Sequence, residues 1–366
     1  MAEPQQKPVV LCAGGTGGHL FPAEALAEEL LARHVPVVIF TDKRGHAFKS
    51  LGDRAPIHIV RAATLKPGLP AKIRALFEMG LGILGAARLL LKLKPAVVVG
   101  FGGYPSFPGT FAAQMLRIPT VLHEQNAVLG KANVWLANRA GKIALSLEGT
   151  KGLTPPQAAK AVVTGNPVRA PIIAAGKTPY APPSERFRIL ITGGSQAATV
   201  FGEIVPEALK NFTESEKNRF YVMHQCREET RAETQKRYAA YGIEAETASF
   251  FNNMPERLAG CQLFIGRSGA STVAEIAVAG RPAIFVPYPG HRDMQQKHNA
   301  DIIADKGGAW VVLQPDFTPE VLAAHIRRFL DDPALLAQAA GAAASCGRPD
   351  AAKRLADLVM AEVPAD

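Results

Sequence analysis

A chain of 366 residues is long for one hydrophobic core and comfortable for two domains. With 48% hydrophobic and 20% charged residues, its composition is ordinary for a soluble globular enzyme. Its formal charge of +9 admits nucleic acid, an anionic membrane surface or anionic substrates, and the lack of any Lys/Arg block or aromatic-studded basic ribbon sets nucleic acid aside.

The opening MAEPQQKP runs straight into a strand-like segment with no signal peptide visible, and no stretch reaches the ~18 apolar residues of a spanning helix. Cys12, Cys226, Cys261 and Cys346 are scattered without a CxxC pair, which argues against a disulfide framework and a zinc site and fits a reducing cytosol. The expected compartment is the cytoplasm.

Val9 to Ala13 reads as a buried strand, followed by the glycine turn GGTGGH and a helix whose face carries Phe21, Ala25, Leu26 and Leu30. VPVVIFTD, AVVVGFGG, TVLHEQN and KIALS repeat the strand-then-turn pattern with helical stretches between. Such alternation predicts a parallel sheet covered on both faces. Between Lys66 and Lys94, six basic residues stand against Glu78, with Leu76, Phe77 and other large apolar residues among them. Two readings stay open there: an ordinary buried helix with a solvated face, or an interfacial patch that docks on anionic lipid.

GNPVRAPIIAAGKTPYAPPSERF is rich in Pro and polar residues and reads as a connection, with a boundary near Gly165–Pro167. RILITGGSQAATVFGEIVPEAL then restarts the strand, glycine turn and helix of the opening. FYVMHQC, a FFNNM segment, LFIGRSGASTVAEIAVAG, PAIFVPYPG and AWVVL form another alternating set. The fold class expected is α/β, two Rossmann-like domains facing across a cleft, with ligands at the carboxyl ends of the strands. In the helical tail, Thr318 is a candidate N-cap with Pro319 at the first helical position.

A glycine turn between strand and helix presents backbone N–H groups at the positive end of a helix dipole and so suits a diphosphate. One such turn is equally consistent with a tight turn that holds no ligand; two, heading matched halves, favour ligand binding. Neither turn is a Walker loop or a clear dinucleotide fingerprint. His19 is either a solvent-facing or capping residue or, beside the loop, a general base suited to neutral pH. HEQN (His123 to Asn126) caps the next helix or offers donors and acceptors to sugar hydroxyls. Glu275, about a turn into a helix starting near Ser271, suits the paired hydroxyls of a ribose, and Gln295 and Gln296 suit a sugar. No DxD pair holds a divalent ion, so metal-independent chemistry is the default.

GGTGGHLFPAEALAEEL, FGGYPSFPG, HEQNAVLGKAN, GNPVR, GGSQ, RSGASTVAEIAVAGRPAIFVPYP and DMQQKHNA occur in this order over nearly the whole chain. Together they resemble the bacterial peptidoglycan N-acetylglucosaminyltransferases, which convert lipid I to lipid II at the inner face of the cytoplasmic membrane. The resemblance implies the glycosyltransferase B fold, inversion at the anomeric carbon, no metal or other cofactor, and UDP-GlcNAc as donor. It implies an acceptor and membrane-associated domain over 1–166, completed by a C-terminal helix 342–366, and a donor domain over 167–341. It assigns His19, Tyr104 and Glu124 to catalysis. Donor contacts carry over onto Thr16, Gly17, Gly18, Asn126, Arg169, Ser195, Phe251 (backbone), Ala270, Ser271, Thr272, Val273, Ala274, Glu275, Gln295 and Gln296. Lys72, Arg74, Leu76 and Phe77 form the expected membrane patch. The implied partners are lipid I, the anionic membrane surface and the cell-wall and division machinery, with a peripheral location on the cytoplasmic face. Two departures are Ala197, where the family usually has glycine, and PYPGHRDMQQ, which is irregular just before the glutamines. Rival readings are a glycosyltransferase with another acceptor, a UDP-GlcNAc 2-epimerase, a non-catalytic donor-binding scaffold and a nicotinamide-dependent dehydrogenase.

Overall fold

Val9–Cys12 (β1) is a run of four apolar residues, all buried, and such a run is stable only inside a sheet covered on both faces. The computed structural model describes residues 6–43, 45–63, 68–194, 198–290 and 293–364, and in it β1 is central. It pairs in parallel with β2 (Val37–Thr41) on one side and β4 (Val97–Gly100) on the other, Val9 lying opposite both Val37 and Val97. With β3 (Ile57–Ile59), β5 (Thr120–Glu124), β6 (Lys142–Leu145) and β7 (Ala161–Val163), these strands form a seven-stranded parallel sheet in the order β3-β2-β1-β4-β5-β6-β7.

A second sheet repeats the plan with β8 (Phe187–Thr192), β9 (Phe220–Gln225), β10 (Glu244–Ala248), β11 (Leu263–Gly266), β12 (Ala283–Phe285) and β13 (Ala309–Val311), in the order β10-β9-β8-β11-β12-β13. In each sheet the strand order reverses beside its first strand. The carboxyl ends there are left uncrossed by connections, which is where α/β sheets bind ligands.

The strands β3, β7 and β10 are absent from the sequence reading. Each is an edge strand: β3 exposes Ile57 and Ile59, and β10 reads EAETA, so neither carries the continuous apolar run that marks a buried strand. FFNNM, taken from sequence as an element of the alternating set, is the turn after β10 that leads into the helix Met254–Gly260.

The chain divides into two compact units, Met1–Arg169 with Pro349–Asp366, and Ala170–Arg348. The division thus falls after Arg169 rather than after 166, and the return begins at Pro349 rather than at 342. Packing accounts for the difference. The helix Ala334–Ser345 lies so close to the second unit that a Cβ on Gly308 would stand 2.6 Å from the Ala343 nitrogen. The last helix, Ala351–Ala361, instead buries Leu355, Ala356 and Val359 in the first unit's core beside Leu26 and Leu30. Arg33 fixes its register, donating to the Asp357 carboxylate at 2.6 Å and to the Lys353 carbonyl at 3.2 Å.

Thr318 caps the helix Pro319–Asp331 as expected, its hydroxyl accepting from the Val321 amide at 3.3 Å. Among the described residues no helix is long and apolar enough to cross a membrane. Because Leu355 is fully buried, Leu355→Ala is expected to destabilise the first unit by about 2–5 kcal/mol. Urea denaturation followed by far-UV circular dichroism measures this.

Candidate active site

In the first unit, the chain leaves β1 through Gly14 and Gly15 and enters the helix Gly17–Ala32 at Thr16, which makes no side-chain cap. Gly15 has φ 88°, a left-handed geometry that favours glycine. A Cβ on Gly14 would lie 2.5 Å from the Pro105 Cβ, so the turn after β1 is pressed against the first turn of the helix that follows β4. Thr16 is exposed, and Gly17 and Gly18 are half-buried at an uncapped helix start, an arrangement suited to an anion.

His19, two residues into that helix, places Nδ1 2.8 Å from the Phe101 carbonyl oxygen. A carbonyl only accepts, so Nδ1 carries the proton and the neutral ring keeps its lone pair on Nε2. Gly103 permits this approach: a Cβ there would meet Nε2 at 3.2 Å. Tyr104 is half-buried in the first turn of the helix Gly103–Met115.

HEQN lies at the end of β5. Glu124 is 1% exposed, and both its oxygens are committed. Oε1 accepts from the Asn126 amide at 3.0 Å and from Asn126 Nδ2 at 3.2 Å. Oε2 accepts at 2.8 Å from the Gly130 amide and at 2.8 Å from Asn133 Nδ2. With both oxygens so engaged, Glu124 shapes the loop that carries Asn126, and a direct part in the chemistry rests on the resemblance alone. His123 and Gln125, adjoining Glu124, are almost wholly buried. Gln125 Nε2 donates to the Phe101 carbonyl at 2.9 Å and sits 3.0 Å from His123 Nδ1. Sequence reasoning gave these two no separate roles, because their partners come from other strands.

Arg169 belongs to the first unit. Its guanidinium lies over the Phe21 ring, 4.0 Å from the centroid, and its charge acts on buried Glu24. Burial raises the Glu24 carboxyl, against the lowering effects of a Ser50 hydrogen bond and of Arg169.

In the second unit, Ser195 and Ala197 lie outside the described residues; Gly194, just before them, has φ 77°. The helix Ala270–Ala279 starts after β11 at Gly269, again without a side-chain cap. Ala270, Ser271, Thr272, Ala274 and Glu275 are half-buried along its first turns, whereas Val273 points into the core at 4% exposure and can offer a ligand only its backbone. Ser268, fully buried, donates to the Gln296 carbonyl at 2.7 Å and so ties the start of the helix Gln295–Ala304 to the end of β11. Gln296 Oε1 accepts from the Tyr288 amide at 2.9 Å, so Nε2 is the end of the side-chain amide that faces away from this contact as a donor. Gln295 begins that helix half-buried, its amide donating to Asp293 at 3.3 Å.

Phe251 is 4% exposed beneath the Arg257 guanidinium, so it too has only its backbone to offer, while Phe250 beside it is 66% exposed. Among the described residues no group of three or more His, Cys, Asp or Glu side chains is placed to hold a metal ion.

Of the patch residues, Lys72, Arg74, Leu76 and Phe77 are all exposed on the helix Leu69–Leu93, with Leu69, Ile73, Leu84 and Leu91. Lys66, counted in the same basic stretch, lies outside the described residues.

Residues 9–145 match the glycosyltransferase family 28 N-terminal domain and residues 188–355 the glycosyltransferase family 28 C-terminal domain. A relative from Rhodospirillum centenum, named UDP-N-acetylglucosamine--N-acetylmuramyl-(pentapeptide) pyrophosphoryl-undecaprenol N-acetylglucosamine transferase, is 55% identical over 96% of this chain and 94% of its own. A crystal structure of MurG from Acinetobacter baumannii superposes with TM-score 0.76 at 32% identity, covering 97% of this chain and 99% of that one. A putative UDP-N-acetylglucosamine 2-epimerase from Listeria monocytogenes superposes over 96% of this chain and 95% of its own with TM-score 0.68, at an identity of 15% that speaks to the fold alone.

Burial pushes His123 down to about 4 and His224, fully buried in β9 beside the Tyr238 hydroxyl, down to about 3. In the unfolded chain both titrate near ~6.5, so unfolding takes up protons as pH falls below that value. Their contribution is complete above the unfolded pKa and is lost as pH falls toward the folded one. By about pH 4.5 each imidazole should cost on the order of 2 kcal/mol. Urea midpoints between neutral pH and that value should fall steadily, and fall less in His224→Gln, where the His123 share remains.

Proposed function

Because the chain belongs to glycosyltransferase family 28, we propose that it transfers N-acetylglucosamine from UDP-GlcNAc to undecaprenyl-pyrophosphoryl-MurNAc-pentapeptide (lipid I), giving lipid II for peptidoglycan. The whole-length relative at 55% identity, named for this transfer, supports the substrate pair. The observation that carries the chemistry is the 2.8 Å hydrogen bond from His19 Nδ1 to the Phe101 carbonyl, which leaves Nε2 as a base at the carboxyl ends of β1 and β4, where α/β sheets bind ligands.

The step is a direct displacement. The C4 hydroxyl of N-acetylmuramic acid gives its proton to His19 Nε2 as its oxygen bonds to C1 of GlcNAc. The bond from C1 to the UDP oxygen breaks on the opposite face, its electron pair leaving with the diphosphate, and the anomeric carbon inverts. Charge growing on the diphosphate is met by the positive end of the helix Ala270–Ala279. Glu275 takes the ribose hydroxyls, Gln295 and Gln296 hold the sugar, and the Phe251 backbone faces the base. Tyr104 and Asn126 flank the acceptor and donor sugars near His19. No metal takes part; backbone dipoles do the work a cation would otherwise do.

The acceptor is a lipid, and the helix Leu69–Leu93 brings the enzyme to it. Lys72 and Arg74 attract the anionic cytoplasmic surface, while Leu69, Ile73, Leu76 and Phe77 enter its interfacial layer. On this reading the protein is peripheral to the membrane and works beside the cell-wall and division machinery.

His19→Ala should lower kcat by about 10²–10⁴ while UDP-GlcNAc binding by calorimetry stays unchanged; near-normal turnover on a lipid I analogue refutes the base assignment. Lys72→Glu with Arg74→Glu should sharply weaken sedimentation with phosphatidylglycerol vesicles, and equal binding would remove the membrane reading. A chelator should leave turnover intact. The same assay separates transfer from 2-epimerisation, because an epimerase consumes the donor without the lipid acceptor.

A further inference from the structure

The base reading of His19 requires a proton fixed on Nδ1, and hence a Phe101 carbonyl that does not turn away. The backbone alone does not fix it. Phe101 is followed by Gly102 and Gly103, with φ 73° and 69°, two residues without the Cβ that would otherwise hinder rotation of the intervening peptides. A second contact on the same oxygen supplies the constraint: Gln125 Nε2 donates to it at 2.9 Å from a side chain 2% exposed.

Gln125 is itself anchored. Its Nε2 sits 3.0 Å from His123 Nδ1, so that nitrogen accepts, and the His123 proton is on Nε2. From there it faces the Gly165 carbonyl and the Ser146 hydroxyl, each at 3.4 Å. The buried chain therefore runs from His19 through Phe101, Gln125 and His123 to groups at the ends of β6 and β7. Burial keeps His123 uncharged, which preserves the acceptor on Nδ1 and spares His19 a second cation when it takes a proton.

Resting on the base role given to His19 above, we propose that Gln125 is a positioning residue: by holding the Phe101 carbonyl against His19 Nδ1, it sets the tautomer that presents a basic Nε2 to the acceptor alcohol. Its chemistry is specific. An amide donates to the carbonyl and to His123 at once; a carboxylate accepts only, and a thioether does neither.

The test uses the full chain with ¹⁵N-labelled histidine, the His19 signals being assigned by their loss in His19→Gln. The native protein should show His19 protonated on Nδ1. In Gln125→Met, close in size and without the donor, His19 should become a mixture of tautomers, and kcat on a lipid I analogue should fall at least about tenfold with the KM for UDP-GlcNAc little changed. Gln125→Glu, a second variant should the first fail to fold, should likewise lose the Nδ1-protonated form, and the acid limb of its kcat profile should shift. An unchanged tautomer in a folded variant overturns the proposal, whether turnover falls or not, because a fall alone is what a structural role would give. A tautomer change in a protein whose native form transfers no GlcNAc upholds the positioning and refutes the transferase reading, so the two failures are distinguishable.

Discussion

The carbonyl oxygen of Phe101 has two lone pairs, and both are committed, to His19 Nδ1 at 2.8 Å and to Gln125 Nε2 at 2.9 Å. That oxygen is the point at which three strand ends of the first sheet are tied together. His19 comes from the helix after β1, Phe101 from the end of β4 and Gln125 from the end of β5. The tie is possible only because backbones come unusually close. Gly14 lies under Pro105 and Gly103 under the His19 ring, and a Cβ at either position would be too close to its neighbour for an unstrained fit. The glycines of GGTGGH and FGGYPSFPG thus serve partly to bring side chains of the protein together and partly to leave backbone open to a ligand.

The polar groups near this oxygen sort by burial. Glu124 and Asn133 are buried and joined by a 2.8 Å hydrogen bond from Asn133 Nδ2, Glu124 accepting from four N–H groups in all. A carboxylate used in this way stabilises a loop shape, because removing it would leave several amides without a partner. His19 is only half-buried, and it retains an acceptor at Nε2. The contrast between a fully engaged carboxylate and an imidazole with one nitrogen in reserve is what favours the histidine over Glu124 for the base role proposed above.

Much of this was legible in the sequence. Strands that sit inside a sheet must be apolar on both faces, so β1, β4, β5, β8 and β11 announce themselves as short buried runs. Edge strands are released from that demand, so IHI and EAETA carry no apolar run, and AVV is apolar but only three residues long. The two glycine turns were visible because clustered glycines cost backbone entropy, and a chain bears that cost straight after a strand only where something must come close. What no local pattern could give were roles set by distant partners: Gln125 beside Phe101, Glu124 beside Gly130, Arg169 over Phe21, Phe251 under Arg257. The C-terminal boundary was missed for a related reason. Alanine-rich helices look alike in sequence, and only packing distinguishes Ala343, set against Gly308 of the second unit, from Ala356, buried in the first.

The helix Leu69–Leu93 inverts the usual rule for a surface helix. Its buried positions are Ala75, Gly82, Ala86 and Leu90, three of them small, while Leu69, Ile73, Leu76 and Phe77 point to solvent. Gly82 accounts for the inner face: a Cβ there would stand 2.0 Å from the Arg61 carbonyl, so the helix lies directly against backbone and has no room for larger residues. Large apolar residues pack inward only toward the C-terminal half, at Leu90 with Ile83, Leu89 and Leu93, and in the first turns they stand on the outer face. In water that arrangement forgoes the burial of several side chains, each worth roughly 1.5–3 kcal/mol. A helix selected only for stability would carry polar residues there instead. Lys72 and Arg74 interleaved with that outer row give the face a positive charge, the combination an anionic lipid surface accommodates best.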